Sequence, residues 1–232
     1  MPKNFIDYVL LFFMAFTLSV FCQSTNIKDN EYLYKRIESL TTKDYAYYLD
    51  SLKKYGNTDF FALRMSFCKT DLYSPYDIEA KDIFKRCEEN INIKNYTAGL
   101  EGLDSIIAVD YTNIKAHMYL SFLYKKALDS AKSAYHFKVF KGLLNSIADN
   151  GEGDSPQNAY IVNNVSEEYM FLNYLGYEIK NQVVVEQNGR SFDHLSVQDK
   201  ENSQTREVYF NIDLPMNFLM RSFNQNNSGT QK

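Results

Sequence analysis

Asp149, Glu152 and Asp154 stand close together in the stretch DNGEGDSPQNAYIVNN, residues 149–164. Three acids in a glycine-rich loop raise the question of calcium. A calcium loop sets oxygen ligands at alternating positions and finishes on a bidentate acid. Here the alternating positions after Asp149 are Gly151 and Gly153, which bring no side-chain oxygen, and no acid follows within SPQNAYIV. A phosphate cradle fits no better, because GEGDSP is acidic and lacks the lysine such loops use. The stretch therefore reads as a joint. Its glycines let the chain leave a helix, Pro156 keeps the helix from resuming, and Asp154 or Ser155 offers an oxygen to loose amides.

Ser191, Asp193 and His194 invite a hydrolase reading. Neighbours on a strand point to opposite faces, so Asp193 is badly placed to orient His194. No GxSxG elbow accompanies them. His117 and His136 lie on helical stretches among Tyr and Phe and read as packing or surface residues. Cys87 shares a helical face with Ile83, Phe84 and Ile91, so it reads as a small core residue, with a Cys68–Cys87 disulfide as the alternative. No CxxC or Cys/His spacing points to zinc. Tyr32, Tyr34, Tyr45, Tyr47, Tyr48 and Tyr55 form a dense cluster. Packing along a helix seam is the favoured reading, and stacking of sugars or gripping of peptides is the other. No residue is assigned a catalytic, cofactor-binding or metal-binding role, and no cofactor is expected.

The elements that would position these residues change character along the chain. From about Asn30 to Ala148 the period is helical. Leu33, Ile37 and Leu40 form one stripe. Thr42 is the expected N-cap of TKDYAYYLDSLKKYG, and Gly56 its stop. Thr58 is the expected cap of the next helix, with Phe60, Leu63 and Phe67 inward, and Pro75 breaks the pattern. After Asp154 strands enter. AYIVNN, YEIKNQVVVEQ, SFDHLSVQ and REVYFNI alternate, and Asn188-Gly189 is a strong hairpin turn. Ser166 is the expected cap of EEYMFLNYLG, with Glu167 and Glu168 favourably placed at the helix N-terminus. The strand REVYFNI is a candidate sheet edge for a partner strand, although short connections favour a sheet that pairs locally. Asp213 and Pro215 start a short helix, and residues 224–232 read as a frayed tail.

Charge and composition narrow the class. The 232 residues carry a net charge of −4, which opposes non-specific nucleic-acid binding. At 45% hydrophobic the chain can bury a core. Its first 22 residues differ from the rest: Lys3 precedes an apolar run from Tyr8 to Phe21. That run is short of the ~20 residues of a membrane-spanning helix and suits a signal peptide. Cleavage after Cys22 is favoured over lipidation of Cys22, because Phe21 is not the small residue a lipoprotein signal needs.

NYTAGLEGLDSIIAVDYTNIKAHMYLSFLYKKALDS resembles tetratricopeptide rhythm: Tyr96 at the aromatic position, Ala116, Leu120, Ser121 and Tyr124 in the next first helix. At most one and a half repeats are present, fewer than a solenoid needs. DFFALRMSFCKTDLYSPYD, the NYTAGLEGLDSIIAVDYTNIKAH segment, GEGDSPQNAYIVNNVSEEYMFLNYLG and SFDHLSVQ…EVYFNID follow in this order, from about Asp59 to Asp213. The set resembles an uncharacterised family of exported bacterial proteins, domain of unknown function 4919. The resemblance implies export and a compact helical-plus-meander unit, and supplies no activity.

The expectation is an α+β chain: signal peptide 1–22, tetratricopeptide-like helices 30–150 packed on a C-terminal antiparallel meander 151–223, the two forming one cooperative unit. The leading function is a non-enzymatic binding module in the periplasm or outside the cell, with a protein or peptide as partner. The alternative is a cell-envelope hydrolase or glycan-acting enzyme whose carboxylates the sequence does not identify.

Overall fold

In the computed structural model, which describes residues 30–76 and 78–229, the helical periods become nine helices among the described residues, and the alternating stretches become four strands. The fold class is α+β. The helices are α1 (Asn30–Ser39), α2 (Thr42–Tyr55), α3 (Phe60–Phe67), α4 (Ile78–Asn92), α5 (Tyr96–Val109), α6 (Ile114–Lys126), α7 (Ser130–Ala148), α8 (Val165–Tyr174) and α9 (Asp213–Gly229). The strands are β1 (Tyr160–Ile161), β2 (Tyr177–Gln187), β3 (Arg190–Asp199) and β4 (Thr205–Asn211). The apolar leader 1–22 lies outside the described residues.

Two compact units divide these elements. One holds 41–72 and 78–146; the other holds 30–40, 73–76 and 147–229. Helix α1 therefore belongs with the sheet-bearing unit.

In the helical unit, consecutive helices pack on one another: α2 on α3, α4 on α5 and α5 on α6. The caps are real but shifted by one residue from expectation. Thr41, not Thr42, caps α2 in a capping box with Asp44, whose carboxylate accepts from the Thr41 amide at 2.7 Å. Asp59, not Thr58, caps α3 by accepting from the Ala62 amide at 3.0 Å. Gly56 closes α2 in the left-handed region, as read. Ser121 explains why that position is small. Its hydroxyl donates to the Ser133 carbonyl at 2.9 Å, and the Ser133 hydroxyl returns the bond to the Ser121 carbonyl at 2.8 Å. This reciprocal pair lets α6 and α7 approach closely, and Leu120, Leu123, Val139, Phe140 and Leu143 are fully buried around it. Cys68 and Cys87 are thiols, not a disulfide. Both are buried and donate to backbone carbonyls, Cys68 to Arg64 and Cys87 to Gly99.

The sheet-bearing unit has strand order β1-β4-β3-β2. β2, β3 and β4 form the antiparallel meander, with a bulge between Ile179 and Asn181. The sheet as a whole is mixed, because β1 runs parallel to β4, pairing Tyr160 with Phe210. β4 is thus flanked on both sides over its last residues, and the exposed edge is β2. The sequence offered β4 as a candidate edge but favoured a sheet that pairs locally, and the local pairing is what forms. The part not anticipated is that the two-residue strand after the acidic loop returns to pair with β4 in parallel. Tyr160, Phe171 and Phe210 form an aromatic cluster, with ring centroids 4.9 to 6.3 Å apart. Helix α8 is capped by Asn164 rather than Ser166. Helix α9 continues to Gly229, through residues expected to fray.

The acidic loop wraps a single turn. The amides of Glu152 and Gly153 both donate to the Asn158 carbonyl, at 3.0 and 2.8 Å, and Asp154 accepts from Ser155 and Asn158 side chains. Gly153 is held at φ +69°, and a Cβ there would sit 2.3 Å from the Tyr160 ring. Gly153→Ala is therefore expected to destabilise the protein by about 1–3 kcal/mol, through left-handed strain and overpacking. Urea unfolding followed by circular dichroism reads it; an unchanged midpoint would contradict this account of the loop.

Candidate functional site

Helix α8 begins after Asn164, whose side chain accepts from the Glu167 amide at 3.1 Å. Glu167 reaches back, and its carboxylate accepts from the Asn163 amide at 2.9 Å. Glu167 is thus spent on the helix start, as its position at a positive helix end favours. Glu168 is one residue on and turns elsewhere. Met170, Phe171 and Leu172 bury the helix, and Glu168 goes in with them at 0% exposure.

Across from it lies β3. Asp193, Leu195 and Val197 alternate along that strand and are all buried. Asp193 is 2% exposed. The two carboxyl groups meet in hydrogen-bonding contact. Neither oxygen of Glu168, nor Oδ1 of Asp193, receives any other hydrogen bond. Two carboxylates cannot hydrogen-bond without a proton between them, so one is held by the pair. Burial pushes the Glu168 carboxyl well above the usual carboxylate range, and the Asp193 charge and its hydrogen bond push further. Asp193 is also raised by burial, but hydrogen bonds from Gln182 and Glu168 favour its charged form. The proton therefore resides on Glu168, which donates to Asp193.

From this pair a chain of hydrogen bonds runs outward. Gln182 Nε2 on β2 donates to Asp193 Oδ2 at 2.8 Å, and the Tyr169 hydroxyl donates to Gln182 Oε1 at 2.5 Å. Tyr169 is 46% exposed and Tyr76 39%. Burial raises the phenol pKa of both, and the acid pair of Glu168 and Asp193 beneath them raises it further. The arrangement is a sealed, proton-sharing acid pair beneath two half-exposed tyrosines. Chemically it can hold one proton, exchange it when opened, and fix the Tyr169 ring through Gln182.

The residues singled out in the sequence fall in several places. Asp193 and His194 do point to opposite faces. His194 stacks on Tyr209, with ring centroids 4.3 Å apart, and its Nε2 lies 2.7 Å from Glu207 without hydrogen-bond alignment. Asp193 and His194 do not act together. Of the tyrosines, Tyr45 packs on Phe67, whereas Tyr47 and Tyr55 are 69% and 70% exposed on α2 and Tyr32 is 59% exposed on α1. The seam reading holds for Tyr45 and fails for those three.

His117 and His136 come together inside the helical unit, their Nδ1 atoms 2.9 Å apart. His117 Nε2 sits 3.0 Å from the Tyr111 carbonyl. A carbonyl can only accept, so His117 carries its hydrogen on Nε2 and offers a bare Nδ1 to the N–H of His136. Tyr124 stacks flat on His136, and Tyr135 meets it edge-on. Packing residues is what they are.

Sequence reasoning missed the acid pair. Glu168 was read as a charge stabilising a helix end. The usable signal was the period-two alternation of Asp193 with Leu195 and Val197, which puts Asp193 on the buried face and demands a partner for it. Among the described residues, no group of three or more His, Cys, Asp or Glu is arranged to hold a metal ion.

The family described as domain of unknown function (DUF4919) matches residues 25–221. No curated protein and no solved structure matches the chain.

Proposed function

The chain belongs to the DUF4919 family, and from that premise we propose that it is an exported, non-enzymatic binding module whose partner is a protein or peptide. The observation that carries this is the sealing of the acid pair. Glu168 is 0% and Asp193 2% exposed, so neither carboxyl group opens to the surface. Their direct contact also differs from the ~5–9.5 Å separation that glycoside-hydrolysing carboxylates need. What the pair presents outward is Tyr169, pinned through Gln182. A tyrosine already fixed in place binds with little further loss of side-chain entropy. The export part rests on the leader: the family match starts at residue 25, so the apolar run that ends at Phe21 stands outside the family domain. The periplasm or the extracellular space is the matching location.

A hydrolase is the second reading, favoured by the same pair, since two carboxyls sharing a proton can activate water once opened to solvent. One experiment separates the two. Full-length protein, Tyr169→Ala and Glu168→Gln are used in parallel to capture envelope proteins and to challenge chromogenic glycosides and peptides. The binding reading expects a captured protein that Tyr169→Ala loses and no turnover from any form. Turnover abolished in Glu168→Gln would replace it with the hydrolase.

A further inference from the structure

The outer side of β2 has no strand partner among the described residues, although the strand is eleven residues long. Natural sheets blunt such edges with charges and bulges. β2 does so at one end, with Glu178, Lys180 and the bulge between Ile179 and Asn181. Its middle, Val183-Val184-Val185, is left bare: Val183 is 44% and Val184 59% exposed.

The hairpin geometry says which amides face outward. Asn188 and Gly189 both have positive φ, 53° and 73°, the signature of a two-residue type I′ turn. In such a hairpin the closing pair, Gln187 and Arg190, exchanges both hydrogen bonds, and the pattern alternates from there. The register pairs Val185 with Phe192 and Val183 with His194. Residues 187, 185 and 183 therefore turn their backbone groups toward β3. Gln182, Val184 and Glu186 turn theirs to the open edge.

We propose that this edge pairs antiparallel with β2 of a second copy of the chain, about a two-fold axis at Val184. The pattern is self-complementary in that register and names its own occupant. Val184 faces Val184 of the other copy on one face of the sheet, and Val183 faces Val185 on the other, so each valine of the triplet gains an apolar neighbour across the axis. Gln182 faces Glu186, an amide against a carboxylate, so no like charges are opposed. Every backbone group brought into pairing, at 182, 184 and 186, is one that faces outward. The bulge then ends the ladder before Lys180 and Glu178. Two four-stranded sheets become one continuous sheet across the axis.

Sedimentation equilibrium of the full-length protein over a wide concentration range tests this, beside Val184→Lys, which changes an exposed side chain and should keep the native circular dichroism. The expected result is a reversible dimer for the wild type and loss of that dimer in Val184→Lys. A second pair of variants reads the register. Val184→Cys should give a disulfide-linked dimer under mild oxidation, because residue 184 meets itself, whereas Val183→Cys, facing Val185, should not. A wild-type monomer at all concentrations overturns the proposal. So does a dimer indifferent to Val184→Lys, or equal cross-linking by both cysteine variants. Association with a short added peptide in place of a second copy would likewise overturn it.

Discussion

Acidification is expected to unfold the helical unit steeply, and the His117–His136 pair is the reason. Burial first, then the neighbouring His136, lowers the His117 pKa to about 3; burial and then Lys132 lower that of His136 to about 4. The ordinary value is 6.5. A folded-state pKa below the unfolded one means that the unfolded chain binds the proton first. The stability these groups contribute is therefore complete above 6.5 and is lost as pH falls toward 4 and then 3. Each imidazole steepens the loss by ~1.4 kcal/mol per pH unit within that window. The geometry gives the same answer. His117 already has its hydrogen on Nε2, bonded to the Tyr111 carbonyl, and its Nδ1 receives the His136 hydrogen. A further proton on Nδ1 of His117 would set N–H against N–H. His136→Phe keeps an aromatic ring against Tyr124 and Tyr135 and removes one titrating group. It should melt lower at neutral pH, by about 1–3 kcal/mol for the unpaired His117 Nδ1, but lose stability less steeply on acidification. Melting curves across the acid range check this. Equal steepness in both proteins would show that the imidazoles do not govern acid unfolding.

The acid pair works in the opposite sense. Glu168 has a folded-state pKa raised well above its ordinary 4.5. Its contribution is fully present below the unfolded value and is lost as pH rises through the folded one, when Glu168 ionises against Asp193. The loss again approaches ~1.4 kcal/mol per pH unit over that window. Glu168→Gln substitutes an amide N–H for the carboxyl O–H, so it keeps the donor to Asp193 without the titration. It should hold its melting temperature on going to higher pH while the wild type declines. Asp193→Leu tests the other half, since it leaves the buried Glu168 carboxyl with no partner, and it should cost about 1–3 kcal/mol. Near-ultraviolet circular dichroism of Tyr169 and its neighbours, read against pH, is the measurement. Wild type and Glu168→Gln tracking each other throughout would remove the shared proton from the account.

How much of this the sequence disclosed depends on the range of the interaction. The helices were legible because their signals are local: Thr41 with Asp44, Gly56, and stripes such as Leu33 and Ile37 each lie within one or two turns. The one-residue cap shifts at Thr41 and Asp59 arose where two capping residues stand side by side and only the backbone decides; at α8 the cap moved two residues, from Ser166 to Asn164. Asn188-Gly189 marked the hairpin because no other pair so readily takes two positive φ angles. The pairing of Tyr160 with Phe210 was not legible, since a two-residue strand carries no period. The acid pair was only half legible: the alternation of Asp193 with Leu195 and Val197 marks a buried acid but does not name its partner. Glu168 and Asp193 lie on different elements, and each has an ordinary local explanation, a helix-end charge and a strand acid. Only the docking of α8 over β2 and β3 makes them partners.

The sheet-bearing unit is assembled from three separated stretches of chain, and this has a consequence for how it forms. Helix α1 reaches its partners across very long loops. Asn30 Nδ2 donates to the Ala159 carbonyl across 129 residues, and Asn211 Nδ2 donates to the Tyr34 hydroxyl across 177. The intervening segments 41–72 and 78–146 make up a helical unit in which consecutive helices pack on one another. Loop closure must precede any reward from the distant contacts, so the helical unit is set to fold early and fast, and α1 late and slowly. On a chain emerging from its N-terminal end, α1 is exposed before the other described helices and docked among the last. Throughout that interval its apolar stripe, Leu33 and Ile37, has no native surface to bury against, so it is among the last apolar surfaces of the unit to leave water.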